Sequence, residues 1–325
     1  MKLKSKFSFT LSHSHYPTGR VFEPYIVNVL PHLLLCFGDN STYKKTLGER
    51  KLALSSYSGR WRTVRQKQLS ACLPSIVPKL ITVLSDSHIK VQQAGADALR
   101  NIGSVIRNPE IQEIVPILLE ALQDPSKKTA TCLQTLLDTQ FVHFIDAPSL
   151  ALIMPVVQRA YLDRSTETRK MAAQIIGNMY SLTDQKDLTP YLPTIIPGLK
   201  SSLLDPVPEV RSVSARALGA MVKGMGESSF EDLLPWLKQT LTSESSSVDR
   251  SGAAQGLSEV VGGLGVEKLH KIMPEIISTA ERTDIAPHVK DGYIMMFIYL
   301  PVVFTQDFTV YIGQSITHSE TSNKP

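Results

Sequence analysis

IIPGLKSSLLDPVPEVRSVSARALGAMVKGMGE, residues 195–227, is one complete copy of the unit from which most of this chain is built. It opens on two aliphatics and a proline (Ile195-Ile196-Pro197), reaches Asp205 eight residues later, continues through Ala215 and Ala217, and closes on Gly224 and Gly226. The same opening recurs at Pro31, Pro78, Pro116, Pro155, Pro235 and Pro274, and from Pro78 onward the spacings are 38, 39, 42, 38 and 39 residues. A period near 40 marks one supersecondary unit copied along the chain, which settles the architecture ahead of any single residue.

Within each copy apolar residues follow the proline at helical spacing, as in Leu80, Ile81 and Leu84. The proline is expected to kink or open the first helix near its start, where a missing N–H matters least. Asp39, Asp86, Asp124, Asp163 and Asp205 each stand eight residues beyond a proline. They fall where the first helix ends, so their side chains are expected to bind turn amides and cap the second helix. Small residues then line that second helix: Ala94 and Ala98, Ala172 and Ala173, Ala215 and Ala217, Ala253 and Ala254. Small side chains let the helices of adjacent copies approach closely. Gly103, Gly177, Gly224, Gly226, Gly262, Gly263 and Gly265 lie near second-helix ends, where left-handed caps favour glycine.

A helix–turn–helix of about 40 residues is the unit of HEAT-class repeats, so the expected fold is all-α, a right-handed superhelical α-solenoid. Its parts are a disordered N-terminus over 1–20, a partial repeat over 21–39, an atypical basic linker or broken repeat over 40–68, an array over 69–307, and a truncated repeat with polar tail over 308–325. Five complete copies and a divergent sixth make up the array. Phe22–Asp39 lacks a partner helix and is expected to dock poorly, because each copy is stabilised mainly by its neighbours.

Of the 325 residues 42% are hydrophobic and 20% charged, ordinary for a protein with ample core. The net charge of +4 is unevenly spread. Residues 1–68 hold 12 Lys and Arg against 3 acids, and residues 69–325 hold 22 against 27. The array is therefore mildly acidic, and a uniform electrostatic grip on nucleic acid is not expected. Cys36, Cys72 and Cys132 are odd in number and far apart, so they read as buried thiols. The run Tyr293–Phe304 contains Pro301 and is short for a bilayer span, so it reads as a buried helix.

Chemistry-bearing motifs are sparse. His13 and His15 form an isolated HxH without further ligands at metal-binding spacing. Gly262-Gly263-Leu264-Gly265 follows a helix and lacks the Lys-Ser/Thr ending of a phosphate loop. No GxSxG, HExxH or CxxC occurs, so no catalytic, metal or cofactor site is expected, and the chain reads as a binding protein rather than an enzyme. Arg169 and Arg211 each lie six residues beyond a turn aspartate, and stacked copies would join them to aspartates in an inter-repeat ladder. The candidate contacts to an acidic partner or ribonucleic acid are Lys127, Lys128, Arg164, Arg169, Lys170, Arg211 and Arg216, against the plainer reading of solvated turn residues. Ser243–Ser247 reads as a flexible turn or a phosphorylated one, and Trp236 as packing.

VQQAGADALRNIGSVIRNPEI (91–111), DRSTETRKMAAQIIGNMYSLTD (163–184), LLDPVPEVRSVSARALGAMVKGMGE (203–227) and SVDRSGAAQGL (247–257) resemble the central region of the general-control translational activator family. FEPYIVNVLPHLLLCFGD (22–39) fits as well, and the likeness covers most of residues 20–313. The same region resembles the HEAT array of fungal elongation factor three. The resemblance implies a ribosome-riding HEAT scaffold in the cytosol, associated with polysomes. It also implies activation of the starvation-responsive kinase of initiation factor two alpha, through segments lying C-terminal to this region. Residues 40–68 depart from the family apart from Trp61-Arg62-Thr63, and the ends are foreign to it, which implies a fragment or variant. Neither a membrane nor a small-molecule substrate is implied. The rival reading is another binding solenoid. A tubulin-binding TOG array would carry tryptophan on turns such as SDSHIK, LDRSTET and LDPVPE, which lack it. A transport receptor would need an acidic inner face and a Ran-binding first repeat, neither of which is legible. Limited proteolysis is expected to cut first within 40–68, and protection there equal to that of the array would contradict a broken repeat.

Overall fold

A computed structural model describes residues 66–312, nearly all of them helical. The HxH pair, Cys36, Asp39, the partial repeat and most of the basic segment lie outside the described residues. The helices are α1 Gln66–Val83, α2 Ile89–Gly103, α3 Pro109–Gln123, α4 Pro125–Asp138, α5 Ala147–Ala160, α6 Thr166–Met179, the single turn α7 Gln185–Leu188, α8 Leu192–Leu203, α9 Pro208–Met225, α10 Leu233–Leu241, α11 Ser247–Leu264, α12 Val266–Glu281 and α13 Pro287–Phe304. Helices alternate in the order the repeat demands, and the fold is an all-α solenoid of HEAT repeats. The chain divides into two compact units, one of residues 66–159 with 182–192, the other of 160–181 with 193–312.

The repeat prolines depart from expectation. Pro78, Pro116, Pro155, Pro197 and Pro274 stand inside α1, α3, α5, α8 and α12, several residues past their starts, and among the described residues only Pro235 of the repeat prolines lies in a first turn. Packing overrides the backbone penalty. A proline inside a helix costs about 3 kcal/mol. In α3, however, Ile111, Ile114, Leu118 and Leu122 form one buried face running through Pro116. Each such side chain contributes about 1.5–3 kcal/mol when buried, so the helix continues across the break.

In the first unit, buried polar groups tie the start of α3 to the loop before α5. Asn108 is 1% exposed: its Oδ1 accepts from Ile111 N at 2.8 Å, capping α3, and its Nδ2 donates to His143 O at 3.1 Å and Phe144 O at 3.2 Å. Arg107 N donates to Asp146 Oδ2 at 2.8 Å, and Ser149 Oγ also bonds Asp146. Ile145 N donates to Leu182 O at 2.8 Å. Cys72 and Cys132 are free and buried; burial pushes both thiols up, Cys132 to about 12.

In the second unit, α11 packs against α9 on one side and α13 on the other. The small residues act as the sequence implies. A Cβ on Gly177 would lie 3.4 Å from Ala217 Cβ, and one on Gly219 only 2.5 Å from Glu259 O. The closest approaches repeat one copy apart: Gly252 faces Leu203 O and Gly292 faces Leu241 O, where an added Cβ would fall at 1.8 and 1.9 Å. The glycines near second-helix ends are therefore of two kinds. Gly226 (φ 82°) and Gly265 (φ 94°) hold conformations that other residues rarely adopt. Gly224, Gly262 and Gly263, and Gly103 in the first unit, are packing glycines: an added Cβ would come within 3 Å of Tyr180, Val303, Gly219 O and Val115, respectively.

The apolar C-terminal helix is buried on one face only. Met296, Leu300 and Phe304 are covered, while Ile294, Ile298 and Val302 are exposed. Residues 287–312 are also long and apolar enough, by length and composition alone, to cross a membrane, because the helix extends past the run that the sequence singled out at both ends.

Gly252→Ala is expected to lower stability by about 2 kcal/mol or more, since the added methyl meets a backbone carbonyl that cannot rotate aside. Urea unfolding monitored by far-UV circular dichroism measures it; a change below 0.5 kcal/mol would mean that the helices slide apart without penalty.

Candidate functional site

Three of the turns between the helices of a copy are closed by their aspartate. Oδ1 of Asp86, Asp163 and Asp205 accepts from the backbone N–H two residues on, at His88 (2.9 Å), Ser165 (2.8 Å) and Val207 (2.9 Å). The aspartate therefore closes the turn and leaves the N-cap to another residue, contrary to the expected capping role. Ser165 caps α6 through Thr168 N, and Ser246 caps α11 through Asp249 N. Asp124 serves as C-cap of α3 and N-cap of α4 at once, and its carboxylate takes a hydrogen bond from Ser126 Oγ at 2.8 Å.

A second device holds the same turns from behind. Six residues beyond the aspartate, a long polar side chain reaches back to the turn carbonyl: Gln92 to Asp86 O, Arg169 to Asp163 O (2.9 Å), and Arg211 to Asp205 O (2.8 Å). Arg250 does the same to Ser243 O at 3.1 Å, seven residues on. In the second unit Arg169 and Arg250 also join successive copies, whereas Arg211, expected in the same ladder, bonds only its own turn because the next copy has Ser243 where the turn aspartate would stand. Arg169 Nε donates to Asp205 Oδ2 at 2.7 Å and its Nη2 to Oδ1 at 3.3 Å, a bidentate pair. Two copies further along, Arg250 Nε donates to Asp291 Oδ2 at 2.9 Å. Planar guanidinium matches planar carboxylate, so the pair fixes orientation as well as distance. The hydrogen bonds that Arg169 donates to Asp205 hold its pKa above the ordinary arginine value.

This geometry sorts the candidate cations. The side chains of Arg169 and Asp205 are only 17% and 6% exposed, and Arg211 is 8% exposed. Arg169 and Arg211 are held by the fold and are withdrawn as surface contacts: Arg169 bonds its turn carbonyls and the next copy's Asp205, while Arg211 is buried against its own turn, where Nη1 donates to Asp205 O and Pro206 O and Nε has no partner. Arg164 and Arg216 are exposed and make no hydrogen bond or ion pair through their own side chains. Lys170 pairs with Glu167 at 2.8 Å, Lys127 with Asp124 at 3.8 Å and Lys128 with Glu120 at 3.2 Å, all partly solvated. Such pairs contribute little to stability and exchange readily for another anion.

Lys170 and Arg216 stand on the rim of a shallow groove of about 600 Å³ between α6 and α9. Its floor is made of small residues, among them Ala173, Gly177, Ala217 and Ala220. Beyond Arg216 lies Glu259 on α11, whose carboxyl is raised by burial and only partly brought back by Arg216. A larger apolar hollow of about 690 Å³ lies between α10 and α12, with Phe230, Leu234, Ile272 and Tyr293 among its walls. The ion pairs Lys238–Glu275 (2.9 Å) and Lys268–Glu227 (2.8 Å) lie at its edge. Trp236 is half-buried under Lys200 Nζ, 4.8 Å from the ring centroid, a cation–π contact that the sequence did not announce. Among the described residues no cluster of three or more His, Cys, Asp or Glu is arranged to hold a metal ion.

Comparison with known proteins places the chain. The elongation factor 3/GNC1 HEAT repeat family matches residues 126–232. The stalled ribosome sensor GCN1 of Homo sapiens is 66% identical over 330 residues, covering 92% of this chain and 12% of that protein. The eIF-2-alpha kinase activator GCN1 of Saccharomyces cerevisiae is 40% identical over 347 residues, covering 97% of this chain and 13% of that protein. Elongation factor 3 of Mycosarcoma maydis is 34% identical over 131 residues, covering 40% of this chain and 12% of that protein. The chain thus spans about an eighth of the length of the GCN1 proteins it matches. A designed armadillo repeat protein superposes with a TM-score of 0.28 at 16% identity, over 83% of this chain and 99% of that one, a likeness too low to carry weight.

Arg169→Ala is expected to cost about 2–3 kcal/mol, because it leaves Asp205 buried without its cation. A double-mutant cycle with Asp205→Ala should return a coupling above about 1 kcal/mol; additive losses would show that the pair does not join the copies. Glu259→Gln should raise the melting temperature at pH 7. The carboxyl titrates higher in the folded chain than in the unfolded one, so its charge opposes folding at neutral pH. That gain should shrink as pH falls through the raised folded pKa and vanish below the unfolded value near 4.3. Melting curves across pH 4–8 check both parts, and a gain independent of pH would contradict the burial argument.

Proposed function

On the premise that this chain belongs with the GCN1 family, as a homologue of one HEAT-repeat segment of those proteins, we propose that it is a non-catalytic scaffold that binds ribosomes. The observation that carries the reading is 66% identity, along 92% of the chain, to a protein named as a stalled ribosome sensor. Support for activating a kinase of initiation factor two alpha follows from the names of the Dictyostelium discoideum and Saccharomyces cerevisiae relatives. That step is assigned to parts of such proteins outside this chain. The proposed location is the cytosol, on polysomes.

The proposed ribosome contacts are Arg164, Lys170 and Arg216 in the second unit, and Lys127 and Lys128 in the first. What supports them is solvent access: Arg164 and Arg216 are exposed, and the three lysines hold only partly solvated ion pairs. Each offers a solvated cation on a helix or turn, whereas Arg169 and Arg211 are held by the fold. Because residues 69–325 are net acidic, binding must rest on such local charges rather than on overall attraction. Phosphate contacts release counterions, and three of them imply a loss of affinity of roughly 10- to 50-fold between 50 and 200 mM salt.

Co-sedimentation of the chain with purified ribosomes at those two salt concentrations tests the reading. The chain is expected to pellet at low salt and to lose most binding in the Arg164→Glu/Lys170→Glu/Arg216→Glu variant, with its melting temperature unchanged. Absence of binding by the unaltered chain at both salt concentrations would overturn the function, and full binding by the variant would overturn the contact surface.

A further inference from the structure

One turn of the second unit lacks its acid. Eight residues past the repeat proline stand Asp163 after Pro155 and Asp205 after Pro197, but Ser243 after Pro235. Ser243 fills the local role of the aspartate. Its Oγ accepts from the backbone N–H two residues on, at Ser245 (3.2 Å), and its carbonyl receives Arg250 Nη1 (3.1 Å) as Asp205 O receives Arg211 Nη1 (2.8 Å). A neutral hydroxyl cannot, however, supply a counterion to the preceding copy. Arg169 and Arg211 brace their own turns in the same pose. Nη1 donates to two successive carbonyls, those of Asp163 and Arg164 for the one and of Asp205 and Pro206 for the other. The remaining edge of Arg169, Nε and Nη2, grips Asp205. On Arg211, which is 8% exposed, the equivalent Nε is buried and has no hydrogen-bond partner among the described residues. That edge lies against the next copy: a Cβ on Gly252 of α11 would stand 3.2 Å from Arg211 Cδ, the carbon bonded to Nε.

From the missing aspartate and the unpartnered guanidinium edge we infer that Ser243 is a phosphorylation site whose phosphate is received by Arg211. The donor is a nucleoside triphosphate held by a protein kinase. Ser243 Oγ attacks the terminal phosphorus, the bond from that phosphorus to the β-phosphate oxygen breaks, the nucleoside diphosphate leaves, and the hydroxyl proton passes to the kinase's base. Ser243 is partly exposed in the turn 242–246 between α10 and α11, open to a kinase. Transfer gives up only the hydrogen bond from Ser243 Oγ to Ser245 Oγ (2.9 Å). The product carries a charge of about −1.5 to −2 at pH 7 and three acceptor oxygens, which match the fork of a guanidinium edge. Of the ladder arginines, Arg169 is committed to Asp205 and Arg250 to Asp291, so Arg211 is the one without an acid. The neighbouring serines are placed differently: Ser245 Oγ donates to Asp249 Oδ2 (2.9 Å), and Ser246 Oγ caps α11 at the N–H of Asp249. Glu244 and Asp249 on the same turn oppose the new charge, so the buried edge of Arg211, rather than the surface potential, must hold it. Phosphorylation thus ties the copy of α8 and α9 to that of α10 and α11 at a junction where the ladder is otherwise open. None of this depends on ribosome binding.

Two experiments on the full chain test the site and its seat. Mass spectrometry after incubation with ATP and a eukaryotic cytosolic extract should place phosphate on Ser243. Phosphoserine installed at position 243 during synthesis should raise the melting temperature by about 2–4 °C. Ser243→Asp, which restores the acid of the other turns, should give part of that rise. Arg211→Gln should abolish both gains. Gln92 braces its turn by bonding Asp86 O, so a glutamine at 211 keeps the brace and loses the cation. Negative charge ahead of α11 also benefits from the helix dipole, but that benefit would survive in Arg211→Gln. A second readout needs no substitution: the Arg211 Nε–H proton, followed by 15N-edited NMR, should move downfield when the phosphate is present. The inference is overturned if phosphate falls only on Ser245–Ser247 or on no residue of the turn, if the installed phosphate fails to raise the melting temperature, if the rise persists in Arg211→Gln, or if the Nε–H resonance does not move.

Discussion

Backbone meeting backbone at glycine is the constraint from which the rest of the second unit follows. Gly252 and Gly292 bring α11 and α13 against the final carbonyls of α8 and α10, closer than any side chain would permit. A helix pair of this size has too little apolar surface to fold alone, so its stability comes from the next pair. The approach must therefore be both close and in register. Glycine supplies the closeness, and the Arg169–Asp205 and Arg250–Asp291 pairs supply the register, each linking one turn to the following copy.

That division of labour decides which charges remain for binding. A guanidinium that reaches back to its own turn and across to the next copy has no donor geometry left for a phosphate or a carboxylate outside. Arg169 is lost to the surface in this way and Arg211 by burial against its own turn, while the residues beside them in sequence, Arg164, Lys170 and Arg216, are left exposed or only weakly paired. The proposed contacts thus occupy positions that the repeat leaves exposed. They can vary without disturbing the stack.

Much of the architecture was legible because its signals are periodic. The proline spacing, the turn aspartate and the alanines of the second helix each repeat near every 40 residues, and together they specify helix, turn and helix. What the sequence misplaced depends on packing. Pro116 stands in mid-helix because the buried face of α3 outweighs one missing hydrogen bond, and propensity alone cannot weigh the two. Gly262 and Gly263 look like a turn beside Gly265, yet only Gly265 has positive φ, while the other two make room for Val303 and the backbone of α9. The ladder was visible in the six-residue offset from aspartate to arginine. That it removes Arg169 and Arg211 from the candidate surface was not, because burial depends on the neighbouring copy.

In the proposed function the exposed cations of this array face a ribosome while the buried ones hold the fold. Lysine acetylation footprinting, with and without saturating ribosomes, addresses that claim directly. Protection of Lys127, Lys128 and Lys170, with Lys238, Lys268 and Lys271 around the apolar hollow left unchanged, is the predicted result. Unchanged labelling throughout, or protection confined to the lysines around the hollow, would contradict it.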